Sequence, residues 1–80
     1  MAKHLYTMAQ ARRDLAMGYL TSARILRSQD GWVVELGGGK ALGELADARR
    51  KQRRVFKSLD GAAGALEQIG FVVKDLQPVG

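Results

Sequence analysis

A single small α+β domain, with an antiparallel sheet of about four to five strands packed against two helices, is the fold class this sequence predicts. Three local signatures carry that prediction. Thr7 followed by Gln10 forms a capping box at the head of one helix. Asp30 and Gly31 interrupt two runs of alternating apolar residues, as a hairpin turn does. Ser58 and Gly70 bracket a second helix whose apolar residues recur at helical spacing.

The first helix begins after Thr7 and carries Met8, Ala11 or Arg12, Leu15 and Tyr19 at helical spacing, with Gly18 as its left-handed stop. In the hairpin that follows, a two-residue type I′ turn at Asp30 and Gly31 sets Gln29 opposite Trp32, Arg27 opposite Val34, Leu26 opposite Glu35 and Ile25 opposite Leu36. One face of this hairpin then holds Ala23, Ile25, Trp32, Val34 and Leu36, which makes it the core face. The other holds Arg24, Leu26, Ser28, Val33 and Glu35. Gly37, Gly38 and Gly39 are expected to break the strand before Lys40.

Residues 40–54 admit two readings. Good helix formers favour a helix over Ala41–Arg54, and Gly43 weakens it. The favoured alternative is a second hairpin, with Leu42–Asp47 as one strand, the basic run as its turn and Arg53–Lys57 as the return. Ser58 then caps the second helix, Asp60 sits near its positive end, and Leu59, Ala62, Ala63, Leu66 and Ile69 form its apolar stripe. Phe71, Val72 and Val73 begin a last strand that fades toward Pro78. Residues 1–6 and 77–80 are expected to be frayed ends of one domain spanning 1–80.

Composition narrows the function classes. Eighty residues hold one core. With 46% apolar and 26% charged residues the chain has the makings of a folded protein. The absence of cysteine removes disulfide and thiolate chemistry and suits a reducing compartment, so a cytoplasmic location is expected. No apolar run approaches the roughly 20 residues of a membrane span, and no secretory signal is visible at the start. The formal charge of +5 favours acidic partners.

Catalytic and metal-binding sets are incomplete. His4 is the one histidine and sits in the N-terminal extension without companion ligands. Asp14, Asp30, Asp47, Asp60 and Asp75 are scattered at helix ends and turns, where capping and solubility account for them. The run Gly37-Gly38-Gly39-Lys40 lacks the earlier glycine and the following Ser or Thr of a phosphate-binding loop, since Val34 and Ala41 stand there. No enzyme, no cofactor, no metal and no small-molecule substrate are therefore expected.

The run Arg49, Arg50, Lys51, Arg53, Arg54 is the strongest functional feature, five cations within six positions. At a hairpin tip it would present planar donors to a phosphate backbone and release counterions on binding. As a solvated turn it would serve solubility alone. Arg12, Arg13, Arg24 and Arg27 could extend the patch. Leu26 and Val33 on the outer sheet face suggest a covered surface, and with it a protein partner or a homodimer. Trp32 reads as core from its alternation with Val34 and Leu36.

The stretch DGWVVEL, with the later RRVFKSLDGAAGAL, resembles the small N-terminal DNA-binding domain of tyrosine recombinases over Leu20–Gly70. That resemblance implies a sheet lying in the major groove and implicates Arg24, Arg27, Arg53, Arg54 and Lys57. The segment from Gly38 to Gln52 and the N-terminal helix depart from that pattern. ADARRKQRRVFKSLDGAAGALEQIGF is similar to short accessory proteins of plasmid partition and replication, which implies a plasmid or mobile-element role. The leading expectation is a small, basic, non-catalytic DNA-binding or DNA-associated protein. Its alternative is a protein-interaction module with no nucleic-acid role.

Overall fold

The computed structural model describes residues 4–39, 41–47, 49–50, 52–71 and 78–79. In chain order these form β1 (His4–Tyr6), α1 (Met8–Ala16), β2 (Ser22–Ser28), β3 (Gly31–Gly38), β4 (Ala41–Asp47), β5 (Gln52–Arg53), α2 (Leu59–Ile69) and β6 (Pro78–Val79). The α+β class is as expected. Among the described residues the sheet runs β1-β4-β3-β2-β6, with β5 attached to β4. The central pairs are antiparallel, while β1 on β4 and β6 on β2 are parallel.

Helix α1 starts where its capping box stands. The Gln10 amide donates to Thr7 Oγ1 and the Thr7 amide to Gln10 Oε1, each at 3.1 Å. Its buried residue is Ala11, with Met8 and Leu15 packed at the core margin. Tyr19, expected on the same stripe, lies past the helix and is 61% exposed, because the chain turns at Gly18 with φ +83. In α2, Ser58 Oγ accepts from the Gly61 amide at 3.0 Å, and the Gly70 and Phe71 amides both reach the Leu66 carbonyl at 3.0 Å. Ala62, Ala65, Leu66 and Ile69 are its buried face.

The β2–β3 register is displaced by two residues from the expected one. Ser28 pairs with Gly31, Arg27 with Trp32, Ile25 with Val34 and Ala23 with Leu36, so Gln29 and Asp30 make the turn and Gly31 belongs to β3. A displacement of two leaves every side chain on its face, since faces alternate with period two. Ile25, Val34 and Leu36 accordingly enter the core, with Ala23 and Trp32 packed against it. Val33 on the opposite face is also buried, and Leu26 is half-buried.

Gly37 and Gly38 extend β3 rather than ending it, pairing with Leu42 and Ala41. Only Gly39, at φ +56, turns the chain. Gly38 is required by packing, because a Cβ there would overlap the Tyr19 carbonyl oxygen. Tyr6, Leu20, Ile25, Leu36, Leu45 and Leu66 are among the side chains that fill the core between the helices and the sheet.

Two ends differ from expectation. His4–Tyr6 forms β1, with Tyr6 buried at 4% exposure, and Pro78–Val79 forms β6 beside Ile25 and Leu26. Both gain backbone partners from an existing sheet, which isolated segments of this length lack. The expected strand at Phe71–Val73 falls largely outside the described residues; Phe71 itself is not in a strand.

The described residues between 41 and 53 form the hairpin, not the helix. The return strand β5 is shorter than expected and ends at Arg53, paired to Ala46. Beyond Glu35 and Glu44, β3 and β4 stop pairing with each other. The Arg54 amide then donates to the Leu45 carbonyl at 2.8 Å, while Phe56 and Trp32 exchange both backbone hydrogen bonds, at 2.7 and 2.8 Å. Two residues span at most about 7 Å, so 54–56 must lie in the fork between the parted strands.

Candidate nucleic-acid interface

The register places several turns at one end of the sheet. Asp47, the last residue of β4, runs toward the same end as the Gln29-Asp30 turn, because β3 and β4 are antiparallel. β1 is parallel to β4, so Thr7 and the start of α1 are there too. Ser58 and the start of α2 follow directly from Phe56, whose ring carbon Cδ2 would lie 3.6 Å from a Cβ at Gly61. Both helices therefore begin at this pole, and their positive dipole ends add to its potential.

The basic turn is organised by an acid. Asp47 Oδ1 accepts from the Arg49 amide at 3.0 Å and the Arg50 amide at 3.4 Å, an Asx-type turn that leaves both arginine side chains in solvent. Lys51 lies outside the described residues. An open depression of ≈ 320 Å³ beside this turn is lined by Met8, Ala46, Asp47, Arg49 and Arg54.

Two arginines at this pole rest on aromatic rings. The Arg27 guanidinium lies over Trp32, 5.3 Å from the ring centroid, and that of Arg54 over Phe56 at 4.7 Å. Arg27 pairs with Trp32 and Trp32 with Phe56, so these three share one face in a row across the strands. Lys57 is exposed nearby. Among the described residues, Arg27, Arg49, Arg50, Arg54 and Lys57 make no ion pair.

Arg24 and Arg53 are placed differently. Both lie on the outer sheet face, where Arg24 Nη2 pairs with Glu35 and Arg53 Nη1 approaches Glu44 Oε2 at 3.8 Å. Glu35 and Glu44 are direct cross-strand partners, so the row reads Arg24, Glu35, Glu44, Arg53. These charges are largely satisfied within the chain. Arg12 and Arg13 stay exposed on α1, with Arg13 Nε 3.5 Å from Asp14 Oδ1.

The structure thus gathers Arg27, Arg49, Arg50, Arg54 and Lys57 of the expected residues at one pole and leaves Arg24 on the outer face in a row with Arg53. The aromatic platforms and the role of Asp47 were missed. An acid two residues before Arg49 is a signal for the latter. For the former, only the correct register brings Arg27 beside Trp32. Among the described residues no cluster of His, Cys, Asp and Glu fits a metal, and no helix is long and apolar enough to cross a membrane.

No curated protein and no solved structure matches the chain. A protein-family model described as ParC-like matches residues 7–78, which takes in both helices and every strand from β2 to β5. With the match running through nearly the whole domain, this chain belongs to the ParC-like family.

Proposed function

We propose that this protein is a non-catalytic accessory of plasmid partition that associates with DNA through its basic pole. Membership in the ParC-like family supports the partition role and agrees with the similarity of residues 46–71 to short partition accessory proteins. The observation that carries the DNA reading is the convergence of five cations without carboxylate partners where two helices begin. The outer sheet face, which the recombinase resemblance would set in the major groove, spends Arg24 and Arg53 on Glu35 and Glu44 and is the weaker candidate.

Binding of this kind is a matter of phosphate neutralisation. If about four phosphates are engaged, affinity for a mixed-sequence duplex falls on the order of 100-fold between about 50 and 200 mM salt. Fluorescence anisotropy measures this, with a variant carrying glutamine at Arg27, Arg49, Arg50, Arg54 and Lys57 as the comparison. Absent binding at low salt, or binding the variant retains in full, would sink the reading.

A second reading is favoured by one observation. Met17, Tyr19 and Leu42 are 57%, 61% and 50% exposed, and they lie toward the pole opposite the cations. They suit a protein partner in the cytoplasm, which light scattering and cross-linking would reveal as association unaffected by the five glutamines.

A further inference from the structure

We propose that Arg27 and Arg54 form a two-point phosphate clamp, each guanidinium held over an aromatic ring, so that the pole grips backbone phosphates and stacks no bases. The proposal rests on the DNA reading and specifies its chemistry.

A guanidinium carries its five N–H donors in its own plane. Stacking on a ring occupies a face of the group and leaves that edge of donors free, which is the arrangement bidentate phosphate binding needs. Arg27 lies over Trp32 and Arg54 over Phe56, both side chains are exposed, and neither meets a carboxylate. The rings are also fixed. Phe56 is 8% exposed and Trp32 is packed against the core, and their backbones are hydrogen-bonded to each other. An arginine held this way loses less side-chain freedom on binding than one on an open turn, such as Arg49 or Arg50.

Arg27, Trp32 and Phe56 stand on neighbouring segments, so the α-carbons of Arg27 and Phe56 are separated by about 10 Å, two strand spacings. The clamp as proposed assigns Arg27 and Arg54 to different phosphates of the backbone. Base stacking, the other use of aromatic residues beside a basic patch, needs an open ring face. Here Phe56 is buried, and each ring carries a guanidinium.

The experiment compares variants of unchanged net charge. In Arg27→Lys with Arg54→Lys the cations remain but the planar donors do not, so duplex affinity should fall about 10-fold with the salt slope unchanged. Arg49→Lys with Arg50→Lys should stay within about twofold, as point charges suffice on a solvated turn. Trp32→Leu removes one platform at constant charge and should weaken binding, whereas Trp32→Phe should largely preserve it. Circular dichroism on each variant confirms the fold. Trp32 is the sole tryptophan, and its emission should respond to duplex in the wild type and respond less in Arg27→Lys.

Equal affinities for wild type and the Arg27/Arg54 lysine variant, with the five-glutamine variant still defective, would overturn the clamp and leave DNA association standing. Tighter binding of a single strand than of the duplex, lost in Trp32→Leu, would overturn it in favour of base stacking. A chain that binds no duplex at low salt overturns both the clamp and the DNA reading.

Discussion

Glu35 and Glu44 stand directly opposite each other across β3 and β4, with Arg24 paired to the first and Arg53 near the second. Facing like charges oppose strand pairing, and the flanking guanidiniums offset that. Glu35 is buried at 4% exposure. Arg24→Met, which strips Glu35 of this partner, should therefore cost about 1.5–3 kcal/mol, toward the low end because Arg24 is largely exposed. Glu44→Gln should be neutral or stabilising by about 0.2–1 kcal/mol. Urea unfolding of the two variants checks both signs; a neutral Arg24→Met would show that Arg24 contributes no stability to the row.

Glycines of this fold divide by what surrounds them. At Gly38 a Cβ meets the Tyr19 backbone, and neither strand nor loop can yield easily, so Gly38→Ala should cost about 1–3 kcal/mol. Gly64, inside α2, has nothing within 4 Å of such a Cβ. Gly64→Ala should stabilise by about 0.5–1 kcal/mol through helix propensity and reduced freedom of the unfolded chain. Thermal melts of the pair should move in opposite directions.

Each helix depends on one hydroxyl at its start. Ser58→Ala removes the acceptor of the Gly61 amide, and Thr7→Ala removes one half of the Thr7–Gln10 exchange. Each should cost about 1 kcal/mol. Restoring the acceptor with Ser58→Asp should recover the loss and add a favourable charge at the helix start. Failure of Ser58→Asp to exceed Ser58→Ala in stability would contradict the capping account.

Asp47 exerts two opposed effects on the basic pole. Its charge repels phosphates, while its Oδ1 shapes the turn that carries Arg49 and Arg50. Asp47→Asn keeps an acceptor and drops the charge, so it should raise duplex affinity by about twofold to fivefold at low salt, the gain fading as salt screens it. Asp47→Ala drops both and should gain less. Equal gains in anisotropy titrations would mean that the turn's shape is irrelevant to binding.

What could be read from the residues in order was whatever is decided locally. Thr7, Ser58 and Gly70 act on amides within a few positions of themselves, and their elements formed where expected. Asp30 and Gly31 marked the hairpin but not its register. Gly31 stands in β3, where the Phe56 carbonyl packs against it and leaves no room for a Cβ, and residue 56 is remote in sequence. The short strands β1 and β6 carry no pattern of their own, since a parallel partner supplied by the finished sheet defines them. The basic run was visible as composition. Its sorting was not, because whether an arginine meets Glu44, Phe56 or water depends on which face and which strand receives it.

The fork between β3 and β4 ties presentation of the cations to completion of the fold. Residues 54–56 are bonded to both walls of the gap, Arg54 to Leu45 of β4 and Phe56 to Trp32 of β3. An incompletely folded chain would carry the same charges on a slack loop, without Arg54 seated on Phe56. Any polyanion that prefers the seated arrangement must then act as a wedge holding the sheet shut, raising the unfolding temperature in proportion to the logarithm of its concentration above saturation.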